Sequence, residues 1–112
     1  MATECIFCRI INKEIPGNPI HETSDVIVIK DINPKAPIHY LIISKQHIQD
    51  IQSFADCDAG LAANMLLAAR DVSKTLADSS DFKLVVNSGK LAGQCVFHLH
   101  FHFLAGKQFS PL

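Results

Sequence analysis

Apolar positions along the chain change period twice. Val26-Ile27-Val28-Ile29 and His39-Tyr40-Leu41-Ile42-Ile43-Ser44 are short runs rich in β-branched residues, separated by the Asn33-Pro34 and Ala36-Pro37 punctuation, and they predict two strands. Ile20 to Glu22 predicts a shorter strand before them. From Ala59 to Ala77 the period becomes helical. Leu61, Met65, Ala68, Val72 and Leu76 form one stripe, Asn64, Asp71 and Lys74 lie off it, and Asp58 is suited to cap the start. Phe82 to Asn87 and Val96 to Leu104 read as strands again, while Cys5 to Asn12 predicts a short opening helix, ended by the turn Lys13-Glu14-Ile15-Pro16-Gly17-Asn18-Pro19. The order contains no βαβ repetition. It predicts an α+β fold: a five-stranded, mainly antiparallel sheet with one long and one short helix.

The 112 residues suit a single domain, 1–112, whose last stretch, 106–112, is too short to be anything but a tail. A formal charge of −1 with both signs interspersed gives no footprint for a nucleic acid polymer or an anionic membrane, so any bound anion should be small and held locally. No apolar run reaches the length of a membrane span, and Met1 to Cys5 lacks the charged start and apolar segment of a secretory leader. The expectation is a cytoplasmic protein. Cys5, Cys8, Cys57 and Cys95 are then read as metal-binding, redox-active or buried thiols rather than disulfide staples.

Chemistry concentrates in the last strand. His98, His100 and His102 alternate with Phe97, Leu99, Phe101 and Phe103, so a strand would carry three imidazoles on one face, ~6.6 Å apart, and a packing surface on the other. One such histidine would most often be structural. Three call for a metal site or phosphate chemistry, because imidazole is a common metal ligand and exchanges protons near neutral pH. The preceding loop, Ser88-Gly89-Lys90-Leu91-Ala92-Gly93-Gln94-Cys95, has two glycines whose backbone freedom lets N–H groups converge on an anion, although it lacks the spacing of a P-loop.

His98-Leu99-His100-Phe101-His102-Phe103-Leu104 resembles the signature of the histidine triad (HIT) superfamily. The resemblance extends across nearly the whole chain, through Cys5-Ile6-Phe7-Cys8, Ile10, Ile15-Pro16, Asp31-Ile32-Asn33-Pro34-Lys35-Ala36-Pro37, His39, His47-Ile48, Asn87-Ser88-Gly89 and Gly93-Gln94, and is similar to the Hint branch. It implies a homodimer that binds purine nucleotides of the AMP or GMP type. It also implies hydrolysis or nucleotidyl transfer at their α-phosphate, as in adenosine 5'-monophosphoramidases, through a nucleotidyl-His100 intermediate. His102 and the backbone at Gly93, Gln94 and Cys95 would hold phosphoryl oxygens, His39 would assist the leaving group, and Asp31 would accept from the ribose hydroxyls. Ile6, Phe7, Ile10, Ile15 and Ile29 match the base pocket, which the residues alone would have assigned to the core, and Asn87 matches a polar contact near ribose and phosphate. Cys95 stands where relatives commonly carry serine, which weakens that side-chain contact.

Some bacterial members of the superfamily close a zinc site that would here use Cys5, Cys8, His47 and His98, giving one structural zinc per subunit and no organic cofactor. The residues by themselves leave a pair of buried thiols as the alternative. Three other functional readings stay open at this point: a metal-dependent hydrolase with His98, His100 and His102 as ligands, a Cys95 nucleophile, and a nucleotide-binding or interaction protein with little turnover.

Overall fold

The computed structural model describes residues 5–112; Met1 to Glu4, read above for a leader, lie outside them. Helix α1 (Ile6–Ile11) starts where the Cys5 side chain accepts the Cys8 N–H at 3.4 Å. Strands β1 (His21–Glu22), β2 (Val26–Lys30) and β3 (Ile38–Ser44) follow, then helix α2 (Ala59–Ser73), β4 (Lys83–Val85) and β5 (His100–Ala105). The five strands form one sheet in the order β1-β2-β3-β5-β4, with every neighbouring pair antiparallel. The α+β prediction holds.

Both faces of the central strands are covered, which is why β2 and β3 read as continuous apolar runs rather than alternating ones. On one face Val26, Val28, Ile42, Phe101 and Phe103 pack with Met65, Ala68, Ala69 and Val72 of the α2 stripe. On the other, Ile27, Ile29, Leu41 and Ile43 form a second cluster under Phe7 of α1. That second face carries His39 on β3 and His100 and His102 on β5.

Element ends depart from expectation for local reasons. Helix α2 stops at Ser73 rather than Ala77, where the Ser73 and Thr75 hydroxyls donate to the Arg70 and Val72 carbonyls at 2.6 and 2.7 Å and compete with further helical turns. The Asp58 side chain does not cap α2; it accepts the Ala55 N–H at 2.8 Å across the preceding 3-10 turn, Asp56–Asp58. Two further 3-10 turns, Ile51–Ser53 and Lys90–Ala92, had no clear sequence signal.

The largest departure is at the triad. β5 begins at His100, not Val96, and His98 lies in a bend before it. Its neighbour Leu99 is held there by donating its N–H to the Ile48 carbonyl at 2.7 Å. Only two of the three imidazoles therefore share a strand.

Candidate active site

β3 and β5 run side by side in the sheet, with Leu41 opposite His102 and Ile43 opposite His100. Their face away from α2 lines a cavity of about 530 Å³, walled by Ile6 and Phe7 of α1, the loop from Asp31 to Lys35, and the loop from Gly93 to Val96.

Each histidine here has one ring nitrogen committed to a partner, and that partner decides what the other nitrogen can do. His100 is buried, its Nδ1 lies 2.7 Å from the His98 carbonyl, and a carbonyl only accepts, so Nδ1 carries the proton. Nε2 then holds a lone pair, and among the described residues it has no hydrogen-bond partner. Burial lowers the His100 pKa, opposed by the His98 carbonyl and the Asp31 charge. The ring is thus held neutral, as a nucleophile requires. Phe7 fixes it from the side, edge-on at 5.0 Å between centroids.

His39 is arranged the opposite way. Its Nδ1 accepts the Lys35 backbone N–H at 2.9 Å, so in the neutral ring the proton sits on Nε2, 3.0 Å from His102 Nδ1 and 3.3 Å from an Asp31 carboxylate oxygen. Burial lowers the pKa of both His39 and His102. Asp31, His39 and His102 bring three donor atoms close together, but the protonated Nε2 of His39 has no lone pair for a metal. Both His39 nitrogens are engaged, Nδ1 by the Lys35 N–H and Nε2 between His102 and Asp31, on the cavity where the resemblance placed this residue.

The Gly93 to Cys95 backbone is shaped by glycine and by one amide. Gly89 and Gly93 adopt φ of 103° and 96°, the left-handed region that disfavours side chains. Gln94 was expected to meet the nucleotide through its backbone, and its buried side chain is occupied within the protein: it accepts the Gly89 N–H at 2.8 Å and donates to the Gln49 and Val96 carbonyls at 2.7 and 3.0 Å. The side chain thus braces the loop, leaving contacts with a ligand to its backbone. Asn87 donates to the Ala92 carbonyl at 2.8 Å beside it. The Cys95 thiol is exposed at the rim, 3.6 Å from the Gly93 carbonyl, and among the described residues no base is hydrogen-bonded to it.

Behind His100, Cys5, Cys8, His47 and His98 converge. His98 is fully buried, and its Nε2 donates to the Ser44 carbonyl at 2.6 Å, which leaves Nδ1 with a lone pair. That atom lies 3.2 Å from Cys5 Sγ, 3.5 Å from Cys8 Sγ and 3.1 Å from His47 Nδ1, and Cys8 Sγ lies 3.1 Å from His47 Nδ1. Tetrahedral zinc with ordinary Zn–N and Zn–S bonds sets such donors about 3.3 to 3.8 Å apart, so the cluster needs to open by only a few tenths of an ångström to take the ion. Burial pushes His98 down to about 4, and burial with Cys5 alongside pushes the Cys8 thiol up to about 11. A His98 ring held neutral and a Cys8 thiol held back from ionising are what a cation between them would relieve. The donor set fits a structural zinc.

The triad does not act as one metal cradle: among the described residues, converging donors take His98 in one group and His102 in another, and His100 in neither. Of the expected nucleotide contacts, Ile6, Phe7, Asp31, Asn87, Gly93, Gln94, Cys95, His100 and His102 line the cavity. Ile10, Ile15 and Ile29 do not. Ile10 and Ile15 border a second cavity of about 450 Å³, because the Pro16-Gly17 turn folds back so closely that a Cβ on Gly17 would collide with Ile10. Ile29 is buried beside Ile27 and Leu41. Lining residues the sequence reading missed include Lys35, Leu41 and Val96. Leu41 was recoverable, since it follows His39 by two on one strand and so shares its face.

Two histidines of an alternating triplet stand on β5 of a five-stranded antiparallel α+β sheet, with His39 beside them on the neighbouring β3. The family described as "Scavenger mRNA decapping enzyme C-term binding" matches residues 4–111. An uncharacterized HIT-like protein of Synechocystis is 40% identical over 110 residues, covering 98% of this chain and 96% of that one. A HIT family hydrolase from Clostridium thermocellum superposes with a TM-score of 0.91 at 41% identity, covering 96% of this chain and 95% of that one. A Zn-bound histidine triad family protein from Mycobacterium smegmatis superposes with a TM-score of 0.82 at 27% identity over 96% of this chain and 78% of that one. The chain belongs to the histidine triad (HIT) family.

Proposed function

We propose that this protein hydrolyses purine nucleotide conjugates at the α-phosphate, phosphoramidates of the AMP type first among them, through a covalent nucleotidyl-His100 intermediate. One observation carries the reading: His100 Nδ1 donates to the His98 carbonyl and leaves Nε2 as an unprotonated nucleophile on the cavity. Membership of a family whose structural neighbours include named hydrolases supports hydrolysis in general.

Nε2 attacks the α-phosphorus, the P–N bond breaks, and the departing amine takes up a proton. Water then displaces His100 from phosphorus and releases the nucleoside monophosphate. Over the cycle one water is consumed, its hydroxyl going to phosphate and its proton to the amine. His102 and the loop N–H groups stabilise charge on the phosphoryl oxygens, and the Asp31 carboxylate accepts from the ribose. The base rests between Ile6 and Phe7.

Cys5, Cys8, His47 and His98 would hold one zinc, whose part is structural: it ties α1 to the bend that supplies the His98 carbonyl. The working unit in this reading is a homodimer, which sedimentation equilibrium tests. His100→Ala should abolish turnover of adenosine phosphoramidate, by roughly 10³-fold or more, and still bind AMP. Mass spectrometry of rapidly quenched wild-type protein should detect nucleotidylated His100. Unchanged turnover in the variant removes the nucleophile, and binding without turnover across a panel of phosphoramidates, acyl-adenylates and dinucleoside polyphosphates assigns a binding role instead.

A further inference from the structure

We propose that His39 is a positioning residue which, oriented by the Lys35 backbone N–H, locks His102 in its Nε2–H tautomer and so aims a fixed hydrogen-bond donor at an anionic group in the cavity. The anion's identity as a nucleotide phosphate rests on the function proposed above; the tautomer does not.

The argument follows the protons from the backbone outward. An amide N–H can only donate, so the 2.9 Å contact from Lys35 N to His39 Nδ1 requires a lone pair on that nitrogen. Protonating it would set two hydrogens against each other. The single proton of neutral His39 therefore sits on Nε2, shared between His102 Nδ1 at 3.0 Å and the Asp31 carboxylate at 3.3 Å. A proton on His102 Nδ1 would in turn oppose the one on His39 Nε2 across that 3.0 Å gap. His102 must then carry its proton on Nε2, the nitrogen with no protein partner among the described residues, on a ring that lines the cavity.

The device starts from the tight connection between β2 and β3. Asp31 N–H donates to the His39 carbonyl at 2.9 Å, and the Asp31 side chain accepts the Asn33 N–H at 2.8 Å, closing the loop so that the Lys35 amide faces the His39 ring. His39 is buried. A buried ring with both nitrogens bonded has little freedom to flip, and a neutral donor needs no proton from solvent to be ready. His100 and His102, two apart on one strand, thereby acquire opposite tautomers: one presents a lone pair and the other a hydrogen. A nucleophile and an anion-holding donor require that division.

Nitrogen-15 NMR of the imidazoles in the full-length, zinc-loaded protein reads the tautomers directly, with no substrate. The expected result is Nε2–H for both His39 and His102. His39→Leu removes the donor and should give His102 a mixture of tautomers; His39→Gln, whose amide can donate to the same atom, should restore the Nε2–H form. With AMP as probe, His39→Leu should lose about tenfold or more in affinity, consistent with losing a hydrogen bond to a charged group, while adenosine binds as to wild type. His39→Gln should recover most of the loss.

An Nδ1–H tautomer at His102 in the wild type, or an unmixed Nε2–H tautomer in His39→Leu, overturns the proposal. So does an equal loss of AMP and adenosine binding in His39→Leu, which would mark a merely structural role. Wild-type protein with the expected tautomers that fails to bind AMP supports the tautomer lock and overturns the nucleotide reading alone.

Discussion

Gln94→Met tests whether one buried amide holds the anion-binding loop in shape. Methionine keeps the length and unbranched form of the side chain but deletes three hydrogen bonds, those with Gly89 N–H at 2.8 Å, the Gln49 carbonyl at 2.7 Å and the Val96 carbonyl at 3.0 Å. Gln94 is only 5% exposed, so water does not readily replace them. At about 0.5–1.5 kcal/mol net for each bond, with a larger cost for any partner left buried and unpaired, the loss amounts to roughly 2–4 kcal/mol. Urea unfolding should show it as a midpoint lowered by about 1–2 M at the slopes usual for small domains. The loop carries the Gly93 to Cys95 N–H groups, so AMP affinity should fall as well, even in the folded variant far below its midpoint. An unchanged midpoint together with unchanged AMP affinity would refute the bracing role.

Three other predictions address separate parts of the molecule. Metal analysis of protein expressed with zinc should find ~1 zinc per chain, and Cys8→Ala or His47→Ala should lose it and unfold at lower temperature; a metal-free wild type of equal stability would remove the zinc site. Gly93→Ala should weaken AMP binding and cost about 1–2 kcal/mol in urea, because φ at Gly93 is 96°, a conformation alanine resists; an alanine variant of full stability would show that the loop relaxes freely. Phe103→Ala should cost about 3–5 kcal/mol, since the ring is 0% exposed between the sheet and α2, and a loss below about 1 kcal/mol would mean that this face of the core collapses around the gap.

Local rules made much of the fold legible. The β-branched runs became β2 and β3, and the stripe from Leu61 to Val72 became the buried side of α2, because period and branching act within a few residues. Boundaries failed where longer-range contacts decided them. β5 lost its first residues because Leu99 N–H pairs with the Ile48 carbonyl rather than with a strand. The bracing role of the Gln94 side chain went unread because an amide on a glycine loop gives no sign, in sequence, that it will reach the Gln49 carbonyl. Ile10 and Ile15, matched to the base pocket by resemblance, border the second cavity beside the turn at Gly17.

The sequence by itself determined the inventory: an α+β chain of the histidine triad type, a Cys-x-x-Cys start, an aspartate ahead of a proline-rich turn, and three alternating imidazoles. Only the tertiary structure decided how those imidazoles differ. His98 donates its Nε2–H to the Ser44 carbonyl and turns Nδ1 to the cysteines, His100 donates its Nδ1–H to the His98 carbonyl and keeps a lone pair on Nε2, and His102 faces His39. A neutral imidazole has one proton for two nitrogens, and which nitrogen holds it depends on partners far away in sequence, from Ser44 to Lys35. Spacing along a strand carries no record of them.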